Sequence, residues 1–143
     1  IEVRKVYAVQ PGRGKYILGS ADRGLVGFMG WASPKMLSER GENLFGRVGF
    51  FARLEHWIGS TTYQRLGYAH KIRNRIAHGG QNASKEYSSI LAAMMVPKKA
   101  RQGVSVGRLL QDYPTSAAQN DRWFYRLMMA YETTIREFDR KVR

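Results

Sequence analysis

Hydrophobic positions recur every three or four residues over most of the chain after residue 34, as they do along one face of a helix. A Ser before a Pro, Ser33-Pro34, predicts the start of a short helix that reaches about Arg40. Over residues 43–58 the spacing predicts a core helix that ends at Gly59. The apolar positions of this helix are Leu44, Val48, Phe51, Leu54 and Ile58.

A second long helix is predicted directly after Gly59. Ser60, Thr61 and Thr62 are typical N-cap residues, and the double glycine Gly79-Gly80 marks the predicted end. We expect these two helices to pack as an antiparallel hairpin. The apolar positions of the second helix are Tyr63, Leu66, Tyr68, Ile72 and Ile76.

Three further helical segments are predicted downstream. One covers residues 84–95 and ends before Pro97, and another covers residues 106–113. The last begins at an N-cap formed by Asn120 or Asp121, and we expect its apolar stripe to belong to the core. That stripe consists of Phe124, Leu127, Met128, Tyr131, Ile135, Phe138 and Val142.

The scarcity of strand patterns after residue 34 predicts an all-α helical bundle. Residues 1–34 differ because they are rich in glycine, and we expect a loop or hairpin there with a short strand at residues 3–9. The run Gly12-Arg-Gly-Lys15 lacks the spacing and the following Ser or Thr of a phosphate-binding loop. The predicted organisation is an N-terminal extension, 1–34, followed by a helical domain, 35–143.

The charge balance narrows the range of partners. The chain has 24 Lys and Arg against 11 Asp and Glu, a formal net charge of +13. Between His56 and Gln111 the only acid is Glu86. The bases of that segment are Arg65, Lys71, Arg73, Arg75, Lys85, Lys98, Lys99, Arg101 and Arg108. Such a field favours nucleic acid as the partner, with an acidic membrane surface or an acidic protein as alternatives.

Composition also bears on cofactors and location. With no Cys and three His, a disulfide framework and a thiolate metal site are excluded and a zinc site is not expected. The longest apolar stretch near the start, residues 24–32, has about half of the roughly 20 residues that a membrane-spanning helix needs. No signal-peptide pattern is present. We therefore expect a cytoplasmic protein with no membrane partner, no metal and no cofactor.

The segment from Lys71 to His78 carries the most specific chemistry. It forms the cationic end of a predicted helix and places an imidazole, that of His78, just before two glycines. Bases at a helix C-terminus interact favourably with the macrodipole, so helix capping is one interpretation. The other rests on Arg73-Asn74, three further residues and then His78. This pattern resembles the Arg-x4–6-His motif of the HEPN superfamily, in particular its RiboL-PSP and abortive-infection types.

The resemblance covers roughly residues 43–143 and implies a HEPN-like helical bundle with metal-independent endoribonuclease activity. His78 would act as general base or acid on the attacking 2′-hydroxyl, and Arg73 would stabilise charge on the phosphate. Asn74 shares a helix face with His78 and is expected to orient its ring. Glu55 is either a carboxylate that tunes the imidazole or a surface ion-pair partner of Arg53 or another base.

A spacing of five residues turns His78 about 140° away from Arg73 around a helix, which makes a site within one chain awkward. The resemblance implies a homodimer with a composite site. The residues expected to bind RNA phosphates, unless they are only solvated charges, are Lys71 and Arg75 and, in an exposed basic loop at 98–103, Lys98, Lys99 and Arg101. His56 and His70 are left out of the expected catalytic set.

The resemblance further implies a toxin or antiviral defence effector that is restrained by an antitoxin partner or a fused sensor domain. Two other functions stay open. A non-catalytic RNA-binding or dimerisation module would bind RNA without cutting it, and a basic protein-interaction domain would not bind RNA at all.

Overall fold

The structure, a computed structural model, describes residues 33–116 and 119–142. This part of the chain is mostly helical and carries one short antiparallel hairpin. The elements are α1 (Pro34–Phe45), a 3-10 helix (Phe51–Arg53), α2 (Leu54–Ile58), α3 (Ser60–Ala77), α4 (Gln81–Leu91), a second 3-10 helix (Lys98–Ala100), α5 (Val106–Asp112), β1 (Pro114–Ser116), β2 (Gln119–Arg122) and α6 (Trp123–Val142). The expectation of a mainly helical chain is confirmed. The β1–β2 hairpin was not predicted, and the strand expected at residues 3–9 lies outside the described residues.

The described chain divides into two compact units. The first contains residues 33–63 and 137–142, and the second contains residues 64–136. Their boundaries fall inside α3 and α6.

In the first unit, the single helix predicted over residues 43–58 is interrupted at Gly46. α1 begins at Pro34 as expected but runs on to Phe45, and Gly46 then takes a left-handed φ of 74°. Because a continuous helix cannot pass through that conformation, the chain turns before it forms the 3-10 helix and α2. The predicted end at Gly59 is confirmed, since α2 ends at Ile58 and Gly59 has φ 79°.

Aromatic packing stabilises this unit. The rings of Phe50 and Phe51 lie edge to face, and each lies 5.3 Å from the ring of Phe138 at the end of α6. Lys141 places its ammonium 4.3 Å from the ring of Trp57. Phe50 and the α2 residue Leu54 are buried, so a small apolar core forms here without a long helix.

Gly41 provides a sharp test of this packing. A Cβ at Gly41 would overlap the Cβ of Phe51 and lie 2.9 Å from the backbone nitrogen of Ala52, so we expect Gly41→Ala to destabilise the protein by about 1–3 kcal/mol. Gly67→Ala, in α3, is the matched control: nothing lies within 4 Å of its Cβ, and we expect a gain of roughly 0.5–1 kcal/mol. Urea unfolding of both variants measures the difference, and equal effects would contradict this description of α1.

The core of the second unit is built from α3, α4, α5 and α6. Leu91, Met94 and Leu109 are almost completely buried. The core cluster consists of Tyr68, Ala69, Ile72, Tyr87, Ile90, Leu91, Met94, Val96, Val104, Leu109, Trp123 and Leu127. Two of its polar groups are hydrogen-bonded to backbone carbonyls: the Trp123 indole donates to the Met94 carbonyl at 2.9 Å, and the Tyr87 hydroxyl donates to the Val104 carbonyl at 3.2 Å.

The stripe of α6 that was expected to be core is largely exposed. Phe124 and Ile135 are 58% and 67% exposed, and Met128 and Tyr131 are also exposed. The buried face of this helix is formed by Trp123, Leu127 and Ala130. The expectation is therefore wrong for most of the stripe; Leu127 is buried and Phe138 is half-buried.

Candidate functional site

The motif helix α3 is placed by its buried face. Leu66, Ala69 and Ile72 recur every three residues and are buried, as is Tyr68, which leaves the opposite face to polar side chains. The helix begins immediately after Gly59, whose carbonyl accepts the Tyr63 N–H at 3.0 Å. Ser60 is already helical, so the expected N-cap role of residues 60–62 is wrong.

The C-terminal end of α3 presents the motif histidine. The helix ends at Ala77, and the His78 N–H still donates to the Asn74 carbonyl at 2.8 Å. The side chain of His78 is exposed. Neither Gly79 nor Gly80 takes a left-handed φ, so this end is not the glycine-capped type that the double glycine suggested. A Cβ at either glycine would meet nothing within 4 Å, and the surface beside His78 is open.

Arg73, Asn74 and His70 form one hydrogen-bonded cluster on α3. Nη1 of the exposed Arg73 donates to Oδ1 of Asn74 at 3.3 Å. Nδ2 of Asn74 lies 3.1 Å from Nε2 of His70. Residues four apart are neighbours on a helix, which is why Asn74 meets His70. The Arg73–Asn74 hydrogen bond instead joins two consecutive residues. The histidine beside the Asn74 amide in the structure is His70. Orientation of the His78 ring by Asn74 therefore stays a prediction.

His70 is the residue of this cluster that sequence reasoning missed. Burial lowers its pKa, the charges of Arg73 and Lys71 lower it further, and Glu86 opposes them. Its other ring nitrogen, Nδ1, is buried and has no hydrogen-bond partner among the described residues. The spacing of four between His70 and Asn74 was a usable signal, equal to the spacing between Asn74 and His78.

Two of the expected phosphate-binding residues lie on the side of α3 that faces α4. Lys71 is half-buried and donates to Oγ of Ser89 at 3.2 Å. Arg75 is half-buried, and its charge lowers the pKa of the α4 residue Tyr87, although burial dominates and raises that pKa to about 12. Lys71 therefore already has a hydrogen-bond partner in this unit, and both bases are less accessible than fully exposed cations.

The other expected phosphate-binding residues are more accessible. Lys98 and Lys99 are exposed in the second 3-10 helix, and Arg101 is exposed directly after it. Nε of Arg101 donates to the Val96 carbonyl at 3.0 Å. The predicted exposed basic segment is thus confirmed, with a 3-10 turn where an irregular loop was expected.

Glu55 lies in the other unit, in the first turn of α2, and is exposed. Among the described residues it forms no ion pair with Arg53, whose guanidinium lies 6.0 Å from the ring of Trp57. Its role as a tuning carboxylate stays a prediction.

Within residues 33–116 and 119–142, no group of three or more His, Asp or Glu is placed to hold a metal ion. None of the helices in that part of the chain combines the length and apolar composition required to cross a membrane. No protein-family model matches the sequence, and no curated protein or solved structure matches it at a significant level.

Proposed function

We propose that this chain is a HEPN-like endoribonuclease that cleaves RNA by 2′-hydroxyl attack, without a metal cofactor. The observation that carries the proposal is the presentation of the two motif residues: Arg73 and His78 are both exposed at the C-terminal end of α3. Arg73 engages Asn74 through one nitrogen, and a guanidinium has five N–H donors. The remaining donors suit a phosphate.

In the proposed reaction, His78 accepts the proton of a ribose 2′-hydroxyl, and the 2′-oxygen attacks the adjacent phosphorus. The bond from phosphorus to the 5′-oxygen breaks, and that oxygen takes up a proton from solvent water. The products are a 2′,3′-cyclic phosphate and a 5′-hydroxyl. Hydrolysis of the cyclic phosphate then gives a 2′-phosphate end. Arg73 stabilises the charge that builds on the non-bridging oxygens. Gly79 and Gly80 leave room for the backbone of the nucleic acid.

Wild-type protein incubated in EDTA with labelled single-stranded RNA and transfer RNA tests this function. We expect cleavage with 2′,3′-cyclic phosphate ends. Intact RNA together with salt-sensitive binding would favour a non-catalytic RNA-binding module, and the absence of binding would favour a basic protein-interaction domain. Within the ribonuclease proposal, an inhibitory antitoxin or a fused sensor domain would restrain the activity.

The exposed bases Lys98, Lys99 and Arg101 are proposed to contact phosphates. Because each phosphate contact on a single strand contributes about 0.7 to the slope of log affinity against log salt, we expect their triple replacement by Ala to reduce that slope by about 2. Filter binding at roughly 50 and 200 mM salt measures it. The matched control removes three bases that pair glutamates, Lys35, Arg136 and Arg140, and an equal loss in both variants would contradict a local site.

We further propose that a second copy of the chain covers the exposed apolar stripe of α6. Phe124, Met128, Tyr131 and Ile135 fall within about 60° of one another around the helix and extend over about 17 Å. A second copy presents the same stripe, so the interface is self-complementary about a two-fold axis. A composite Arg73–His78 site would also require a dimer.

The expected result of Ile135→Glu is a monomer in sedimentation experiments, because the interface would bury an unpaired carboxylate. Since each copy has a formal charge of +13, screening should strengthen the wild-type dimer as salt rises, whereas RNA binding weakens. Val48→Glu is the control, since Val48 is 80% exposed and lies outside the stripe. A monomeric wild-type protein, or a dimer that survives Ile135→Glu, would contradict this interface.

A further inference from the structure

The amide of Asn74 joins a guanidinium to an imidazole. Its Oδ1 accepts from Nη1 of Arg73 at 3.3 Å, and its Nδ2 lies 3.1 Å from Nε2 of His70. Arg73 is exposed, whereas Asn74 and His70 are half-buried. The cluster therefore runs from the surface, where a substrate would meet Arg73, to a partly buried histidine.

The chemistry of the three groups assigns the protons. A guanidinium only donates, so the oxygen of the Asn74 amide must face Arg73 and its NH2 must face His70. An amide NH2 also only donates, and Nε2 of His70 must therefore accept. The ring is then neutral and carries its proton on Nδ1. A protonated ring would bring an N–H against the amide NH2, and the contact would become repulsive.

We infer that His70 is a positioning residue for Arg73: its neutral ring holds the Asn74 amide in the orientation that keeps Oδ1 on Arg73, and protonation of the ring reverses that amide and releases the guanidinium. Its importance for RNA cleavage rests on the proposed ribonuclease function. The hydrogen-bonded relay itself does not, and it can be tested without RNA.

The surroundings of His70 favour the neutral ring near neutral pH. Burial lowers the pKa of His70, and the cations Arg73 and Lys71 on α3 act in the same direction. Glu86 on α4 opposes them. The relay should therefore be intact near neutral pH and should release Arg73 only in acid.

Nuclear magnetic resonance of the full ¹⁵N-labelled chain tests the relay directly. We expect His70 to be the tautomer with its proton on Nδ1, with a titration midpoint below that of an ordinary histidine. The side-chain signals of Asn74 and Arg73 should shift with the same midpoint. In His70→Gln, whose side-chain oxygen can accept from the Asn74 amide, these shifts should disappear, and in the control His56→Gln they should persist. A proton on Nε2 near neutral pH, or Arg73 and Asn74 signals that ignore His70, would overturn the inference.

Cleavage provides a second readout. His70→Met lacks an acceptor of similar strength and should lower kcat by about 10- to 100-fold, and His70→Gln should restore most of that loss. The acid limb of the plot of log kcat against pH should be steeper in the wild type than in His70→Gln, because protonation of His70 also lowers kcat in the wild type. Identical acid limbs would overturn the link to catalysis. If no cleavage occurs at all, the proposed function fails while the resonance measurements still decide the relay.

Discussion

His78→Ala should lower kcat for RNA cleavage by about 10²- to 10⁴-fold, the usual contribution of a positioned general base or acid. His78 is exposed after the last turn of α3, where its imidazole can reach a 2′-hydroxyl. Because its proposed role is proton transfer, the loss should appear in the chemical step. The free energy of unfolding should change by less than about 0.5 kcal/mol, as for most surface substitutions. Single-turnover cleavage in EDTA and urea unfolding measure the two quantities.

His56→Ala is the matched control for this prediction. His56 is also exposed but lies in α2, in the other unit, where its ring packs against Trp57 at 5.1 Å. We expect full cleavage by this variant. Added imidazole should restore part of the activity of His78→Ala, because open surface surrounds the truncated side chain. Equal cleavage by wild type and His78→Ala would place the activity elsewhere or in a contaminant.

Most helices after residue 34 could be predicted because apolar spacing and terminal residues agree. α3 and α5 lie close to their predicted ranges, and Pro34 does begin α1. The single helix predicted over residues 43–58 was wrong. Leu44 and Ile58 fit the same helical spacing of apolar residues, but they lie in different helices. The positive φ of Gly46 separates them, and periodicity alone does not register such a break.

The last helix shows a second limit of periodicity. An apolar stripe predicts that a helix has a face to bury, but it does not say which element will cover that face. In α6 the residues packed into the core include Trp123, which lies outside the expected stripe, and Leu127, which lies at its edge. The hairpin that precedes α6 is only three and four residues per strand, too short for an alternating pattern to stand out.

The candidate site was partly predictable for a related reason. The exposure of His78 follows from its place after the last turn of α3. Arg73 lies at an angle between the buried Leu66 and Ala69 around the helix. It is exposed because no residue of α3 after Ile72 is buried. The partner of Asn74 did not follow, because helical spacing allows a neighbour four residues before it or four residues after it. Which of the two histidines contacts the amide depends on side-chain rotamers and on burial, and the structure pairs it with His70.

The second large effect is expected for Arg73. Arg73→Ala should lower kcat by about 10²- to 10³-fold, the usual loss when one donor to a developing oxyanion is removed. Arg73→Lys should recover little, because a lysine ammonium cannot contact two phosphate oxygens as a planar fork does, nor contact the phosphate and Asn74 in the same geometry. The effect on KM should be smaller than on kcat if the interaction strengthens in the transition state.

Arg108→Ala is the control for charge, since Arg108 is exposed in the same unit and pairs Asp112 at 3.1 Å. It removes one positive charge from the same field and should change kcat little. Equal losses in Arg73→Ala and Arg108→Ala would mean that the general field, and not a placed guanidinium, drives the reaction. If Arg73→Ala instead weakens RNA binding and leaves kcat unchanged, Arg73 is a phosphate anchor, and the stabilisation of the transition state must come from a residue outside the motif.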